Sequence, residues 1–150
     1  MSGHHPVGKA TYDTLRHDVP VRPWTILAQD PLALGKGGAA LTTTVMVPAE
    51  RLERGPKGHR VHVIDYDAST DIQYTHRRTD LTRDPYEKVT DVEQLLRDPH
   101  FHQQNVYAIT MATLCTFENA LGRPVPWGFE APSHQLKVAP HAFAEANAFY

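Results

Sequence analysis

The chain has 150 residues, of which 15 are Lys or Arg and 17 are Asp or Glu, and its formal net charge is −2. The basic residues are dispersed, with Arg77-Arg78 as their longest cluster, so neither a nucleic-acid partner nor an anionic membrane surface is expected. No stretch approaches the roughly 20 apolar residues of a membrane span. The first residues lack the charged start and apolar run of a secretory signal, and the single Cys115 leaves no internal disulfide. Both features favour a cytoplasmic location.

The amino-terminal segment, residues 1–35, is rich in proline. Four prolines interrupt it: Pro6, Pro20, Pro23 and Pro31. Because proline fixes φ and has no N–H to donate, this spacing predicts an irregular arm. Apolar residues such as Trp24 indicate that the arm packs on another surface. The glycine-rich stretch 35–38 predicts a turn or hinge, so we expect an arm over residues 1–35 and an α+β domain over 36–150.

The first part of this domain is predicted to be an antiparallel sheet. Residues 41–47 are rich in Thr and Val, which is typical of a strand. Over residues 59–66 the alternation of apolar and polar residues predicts a second strand with three residues on one face: Val61, Val63 and Asp65. A polar loop separates the two segments, so we expect them to pair as antiparallel strands. A further short strand is predicted over residues 72–76.

Beyond residue 90 the apolar residues follow a helical period. Thr90-Asp91-Val92-Glu93 has the pattern of a capping box, which predicts a short helix that ends at Asp98-Pro99. A longer helix is predicted from residue 103 to 121, with Gly122 in the left-handed conformation at its end. Residues 106–115 are apolar nearly all round, so we expect this helix to be buried beneath the sheet.

The last segment, residues 135–150, begins with the alternation of Leu136 and Val138 and then reaches Pro140. Since proline cannot donate to a central ladder, the segment is predicted to be an edge strand. An edge strand exposes backbone groups with which an extended peptide can pair. The elements together predict an α+β fold with an antiparallel sheet first, then two helices and an edge strand.

Ten histidines raise the question of a metal site. The most suggestive pairs are His100-x-His102 and His59-x-x-His62, but no third ligand stands at a characteristic spacing. Residues 99–102 are expected to form a turn between the two helices. No His is followed by Glu, so the H-E-x-x-H zinc helix is missing from this sequence. We therefore assign no metal ligand and no cofactor to these residues and interpret the histidines as solvated or hydrogen-bonded.

Two further groups of residues are weighed as candidates for catalysis. Cys115 stands in the middle of the predicted helix among apolar neighbours, where a small packing role is expected. The acidic run from Asp65 to Asp71 lacks the glycine and glutamate of a calcium-binding loop and is interpreted as carboxylates in a polar turn. No catalytic residue is assigned.

The end of the chain is more specific. Asn147-Ala148-Phe149-Tyr150 resembles the Asn-Ala-aromatic-aromatic signature of thermolysin-like zinc peptidases, the gluzincins. The helix ending in residues 117–123 and the strand ending in residues 66–68 are similar to elements that stand in the same order in that family. The resemblance covers about residues 36–150, and residues 1–35 have no counterpart. In the family the signature ends the edge strand of the amino-terminal lobe, just before the zinc helix.

The resemblance implies a role for each residue of the signature. Asn147 would donate its amide to a substrate carbonyl, and Ala148 would pair with the substrate through its backbone. Phe149 would line the pocket beside the scissile bond, and Tyr150, which replaces the tryptophan of better-known members, would support that wall. The alternative is that Asn147 caps a turn and that both aromatic residues belong to a core.

The resemblance predicts a non-catalytic, amino-terminal portion of a zinc metallopeptidase that supplies the substrate-binding edge strand. The zinc of the complete enzyme, its ligands and the general base would belong to a carboxyl-terminal catalytic lobe, which is one expected partner. The other expected partner is an extended peptide. Whether the parent protein is an active metalloendopeptidase stays open, and so do two alternatives: a stand-alone peptide-binding module and a purely structural α+β module.

Overall fold

The computed structural model describes residues 20–29, 42–75, 83–128 and 134–143. These residues form an α+β fold with a long helix and small two-stranded sheets. The strands are β1 (Val21–Leu27), β2 (Thr42–Pro48), β3 (Val61–Val63), β4 (Tyr66–Asp67), β5 (Ile72–Gln73) and β6 (Leu136–Val138), and the helices are α1 (Val92–Arg97) and α2 (Pro99–Leu121).

Strands β1 and β2 form an antiparallel pair in which Val21 is opposite Pro48 and Leu27 is opposite Thr42. The irregular structure expected over residues 1–35 is therefore wrong for Val21–Leu27. Pro23 is tolerated because it belongs to the side of β1 that faces away from β2, where its missing N–H removes no ladder bond. The predicted domain boundary near residue 35 lies outside the described residues and stays a prediction.

The same outer side of β1 is satisfied by side chains from distant parts of the chain. The N–H of Thr25 donates to the carboxylate of Asp84 at 2.5 Å, and the N–H of Leu27 donates to the side-chain oxygen of Asn105 at 2.9 Å. Unpaired backbone donors in a buried strand are costly. These two bonds therefore fix β1 against α2 and the loop that precedes α1.

Strands β3 and β6 pair in parallel, with Val61 opposite Leu136 and Val63 opposite Val138. The expected antiparallel pairing between residues 41–47 and 59–66 is wrong, because the loop between them folds back onto β3. Gly58 donates to the Val61 carbonyl at 2.9 Å, and Val63 donates to the Pro56 carbonyl at 3.0 Å. The predicted alternation is confirmed, since Val61, Val63 and Asp65 are all fully buried. The strand expected over 72–76 is the short β5, paired with β4.

Both helices begin with an aspartate cap. Asp91, rather than the expected Thr90, caps α1 and accepts from the N–H groups of Glu93 and Gln94 at 3.0 and 3.4 Å. Asp98 caps α2, and Pro99 occupies its first turn, where the missing proline N–H has no intrahelical partner to lose. The turn expected over residues 99–102 is therefore wrong. The end of α2 is as predicted, with Gly122 at φ 64°.

The main core lies between α2 and strands β1, β2 and β3. It contains Trp24, Ile26, Val47, Val61, Val63, Tyr107, Ala108, Met111 and Leu114. Cys115 is also buried, as expected. The helix is not buried nearly all round, however, because Ile109, Phe117 and Leu121 on its outer side are 40%, 60% and 52% exposed. One face of α2 packs on the strands, and the other face remains exposed among the described residues.

Candidate functional site: the outer edge of β6 and a histidine cluster at its end

The four residues that the sequence assigns to substrate binding, Asn147, Ala148, Phe149 and Tyr150, lie outside the described residues. The described chain reaches Phe143, shortly before Asn147. What the structure does describe is strand β6, which precedes these residues, and the contacts that hold its end. The candidate site is therefore built from this strand.

Strand β6 directs alternate backbone groups to opposite sides. Leu136 donates to the Arg60 carbonyl at 2.8 Å, and the Val138 carbonyl accepts from Ile64 at 2.8 Å. In a parallel pair the N–H and C=O of one residue point to the same side, so Leu136 and Val138 face β3. The backbone N–H and C=O of Lys137 therefore face outwards. Within the described residues no strand pairs with this outer edge.

The side chains of β6 alternate in burial. Leu136 and Val138 are half-buried, and Val138 packs against the main core, whereas Lys137 is exposed. The side chain of Gln135 donates to the Gly58 carbonyl and adds a further attachment at the start of the strand. The strand is thus held along one edge, and its other edge has no strand partner among the described residues.

The end of β6 is held by a group of polar residues that we call the histidine cluster: Asp65, His102, Gln103 and His141. Asp65 is 0% exposed. One of its carboxylate oxygens lies 2.7 Å from Nδ1 of His141, and the other accepts from the amide of Gln103 at 2.8 Å. A buried carboxylate is tolerated only when partners of this kind replace its water. Both oxygens of Asp65 are therefore used in holding His141 and α2.

The second histidine extends the chain of contacts. Nε2 of His141 lies 2.7 Å from Nδ1 of His102, and their ring centroids are 5.0 Å apart. The ring of Tyr74 packs on His141 at 4.8 Å between centroids. Burial lowers the pKa of His102, and the charge of the neighbouring His141 lowers this pKa further. The folded protein therefore favours the neutral form of His102.

Three distant parts of the sequence meet in the histidine cluster. Asp65 follows β3, His102 and Gln103 stand near the start of α2, and His141 follows β6. The sequence reasoning missed this cluster, because it interpreted the acidic run from Asp65 to Asp71 as carboxylates in a polar turn, which is wrong for the fully buried Asp65. The available signal was the alternation that put Asp65 on the same face as Val61 and Val63, since a carboxylate among buried residues needs a donor from elsewhere in the chain.

The histidine pairs considered as metal ligands are not brought together around one point. His100 directs its two ring nitrogens to the Asp98 carboxylate at 3.2 Å and to the Thr75 carbonyl at 2.9 Å, whereas His102 is turned to His141. Among the described residues, no group of three or more His, Cys, Asp or Glu side chains is arranged to hold a metal ion. The ring nitrogens of His100 and the Nδ1 atom of His102 thus lie in hydrogen-bond contacts within the described part of the chain.

A polar groove beside β3 contains another carboxylate that could be considered for chemistry. Glu50 lies in it together with Lys57, Gly58 and His59. The Tyr107 hydroxyl and the His59 N–H both donate to the Glu50 carboxylate. Burial raises the pKa of Tyr107, and the bond to Glu50 raises this pKa further. Both carboxylate oxygens are thus occupied by structural bonds, and we assign no chemistry to this groove.

Comparison of the sequence with protein-family models finds no match, and comparisons with curated proteins and with solved structures find none either. In the described part of the chain, neither helix is long and apolar enough to cross a membrane. The site must therefore be interpreted from its own geometry and from the residues that follow it.

Proposed function

We propose that this chain is the amino-terminal, non-catalytic portion of a thermolysin-like zinc metallopeptidase and that it supplies the edge strand along which an extended peptide lies. The observation that carries the proposal is the outward-facing edge of β6, from which the chain continues to Asn147-Ala148-Phe149-Tyr150. An amide and two aromatic residues after an open strand edge are a suitable platform for a peptide.

The backbone geometry supplies the affinity and the later residues supply the selectivity. The outward N–H and C=O of Lys137 can each form one hydrogen bond with an added strand. Under this proposal Asn147 donates to a substrate carbonyl, Ala148 continues the pairing, and Phe149 and Tyr150 form the wall of a side-chain pocket.

The chemistry of peptide cleavage would come from a second lobe. Zinc, its ligands and the general base belong to that lobe under the proposal, and no residue of this chain is assigned to them. Ile109, Phe117 and Leu121 on the outer face of α2 are exposed among the described residues, and under the proposal they would pack against that second lobe.

The proposal is tested by measuring how the 150-residue chain binds blocked, fluorescently labelled hexapeptides, using fluorescence anisotropy. The decisive comparison is Lys137→Pro against Lys137→Ala, since both remove the lysine side chain but the proline variant alone removes the outward N–H. We expect Lys137→Ala to bind as the unchanged chain does and Lys137→Pro to bind several-fold more weakly, about the worth of one backbone hydrogen bond.

The role of the signature is tested by Asn147→Ala in the same assay. We expect weaker binding with an unchanged far-ultraviolet circular dichroism spectrum. Equal binding by Lys137→Ala and Lys137→Pro would remove β6 as the platform, and an Asn147→Ala variant that changes stability alone would favour the structural module. If the chain binds peptide and the protein purified from its native source contains no zinc, the stand-alone binding module would be favoured.

A further inference from the structure

The histidine cluster contains a contact whose existence depends on the number of protons it holds. The nitrogens that meet, Nδ1 of His102 and Nε2 of His141, lie 2.7 Å apart. At this distance one hydrogen must lie between them, donated by one ring and accepted by the other. The two rings therefore keep at least one nitrogen without a proton.

The outer nitrogen of the His141 ring meets an acceptor. Its Nδ1 lies 2.7 Å from the Asp65 carboxylate, which requires a hydrogen on that nitrogen. A second hydrogen lies between the rings, so Nε2 of His102 is the one nitrogen of the pair left to take a third. While the contact lasts, the pair therefore holds at most three hydrogens on its four nitrogens, and with three it carries one positive charge opposite the buried carboxylate.

A fourth proton has no place in this arrangement. It would set two N–H groups against each other across 2.7 Å and place a second positive charge beside the first. The His141 ring cannot turn away freely, because turning it would leave the buried Asp65 without one of its two partners. Separation of His141 from His102 is the remaining way to relieve the repulsion.

We propose that the contact between His102 and His141 is an acid-sensitive device that holds the end of β6 against α2 and releases it when the pair takes up its fourth proton. The side chain of His141 is 23% exposed, so water can deliver the proton. Asp65 opposes release, because its carboxylate holds Nδ1 of His141.

The electrostatic surroundings set the direction of the response. The ionisable groups that act on His102 are His141, Asp65 at the end of β3 and Asp98 at the cap of α2, and the ring of Tyr74 covers His141. Burial and His141 together lower the pKa of His102 below its ordinary value of 6.5. As the pH falls below that value, the unfolded chain takes up a proton that the folded chain refuses, so the folded contact loses stability.

The contact between His102 and His141 lies close to the proposed peptide platform, because His141 is three residues beyond β6. The release of His141 would therefore loosen the end of the strand. That consequence, weaker peptide binding in acid, rests on the proposed function, whereas the acid-sensitive contact itself does not. The acid-sensitive contact is therefore tested in the absence of peptide.

The test is amide hydrogen exchange of residues 136–143, followed by mass spectrometry at about pH 7.5 and about pH 5 and corrected for the intrinsic exchange rate. The unchanged chain is compared with His102→Gln, whose side-chain oxygen can accept from His141 but does not titrate. The matched control is His59→Gln, since His59 is exposed and lies outside the histidine cluster.

We expect the unchanged chain and His59→Gln to lose about 2- to 12-fold in protection at the lower pH, the equivalent of one hydrogen bond. His102→Gln should keep the same protection at both values. Equal protection of the unchanged chain at both pH values would overturn the proposal, and so would an acid response that persists in His102→Gln.

A second measurement keeps the test decisive if the variant does not fold. Nitrogen-15 NMR of the histidine rings in the unchanged chain reports which ring nitrogens carry hydrogens. We expect at most three protonated nitrogens on the pair at about pH 7.5 and four on lowering the pH, together with a change in the signals of residues 136–143. A fourth proton without any change around β6 would refute the assignment.

Discussion

Replacing Gly58 by alanine should destabilise the fold by about 1–2 kcal/mol, because the new methyl group enters the space of a hydrogen-bonded pair. A Cβ at this position would lie less than 3 Å from the Glu50 carboxylate and from the Tyr107 hydroxyl. Tyr107 is fully buried and packs on Trp24 with 5.2 Å between ring centroids, so it cannot move away without disturbing the core.

The size of the destabilisation follows from the hydrogen bond that Glu50 must lose. Moving Glu50 aside breaks the bond from Tyr107 or from the His59 N–H, and a hydrogen bond to a charged group is worth about 1.5–3 kcal/mol. Alanine offsets part of this loss by restricting the unfolded chain, which contributes about 0.4–1 kcal/mol. The difference leaves a net destabilisation of about 1–2 kcal/mol.

The assay is urea unfolding followed by far-ultraviolet circular dichroism, with Gly128→Ala as the matched control. A Cβ at Gly128 meets nothing within 4 Å, so that variant should be unchanged or more stable by up to about 1 kcal/mol. A double variant, Gly58→Ala with Tyr107→Phe, should lose less than the sum of the two single changes, because both act on the same bond. Equal stability of Gly58→Ala and Gly128→Ala would refute the reasoning, because it would mean that Glu50 and Tyr107 leave room for a Cβ at Gly58.

Two further predictions concern the ends of α2. Burial alone would raise the pKa of Asp98, but the hydrogen bonds from the Tyr86 hydroxyl and the His100 N–H outweigh burial and lower this pKa below its ordinary value of 3.8. The ionised Asp98 therefore stabilises the folded chain above pH 3.8, and this stabilisation is lost as the pH falls further. Tyr86→Phe should make acid unfolding begin at a higher pH than in the unchanged chain, and equal acid midpoints would contradict this assignment. At the other end, Gly122→Ala should cost about 1–2 kcal/mol in urea unfolding, because Gly122 has φ 64° and the cost comes from the backbone alone. Gly122→Asn should cost less, and equal stability of all three chains would show that the left-handed cap is not needed.

The sequence predicted the elements that local chemistry determines. The alternation at Val61 and Val63, the capping pattern before α1 and the glycine at the end of α2 each depend on residues a few positions apart. The first helix ends at Asp98-Pro99 as predicted, but the start of α2 was placed at residue 103 and is wrong. With Asp98 as the cap, Pro99 also starts the second helix.

The features that the sequence did not predict depend on distant partners. Strand β1 forms despite its proline because Asp84 and Asn105 complete its outer donors from 59 and 78 residues away. Strand β3 pairs with β6 rather than with β2, and no local sequence pattern predicts a parallel partner. The candidate site follows the same rule, since the alternation put Asp65 on the face of Val61 and Val63 but its partner His141 is 76 residues away.

The balance of forces on β6 explains why a short polar contact could control it. The strand has three residues, none of them fully buried, so apolar burial contributes less to its attachment than it does for β1 or α2. Its position depends instead on a few hydrogen bonds to β3, on Gln135, and on the histidine cluster. When so few bonds hold an element, the loss of one changes its open population several-fold while the core between α2 and the other strands stays intact. Under the proposal of an acid-sensitive contact, the strand edge that the proposed function needs is therefore the element that the fourth proton on His102 and His141 would loosen.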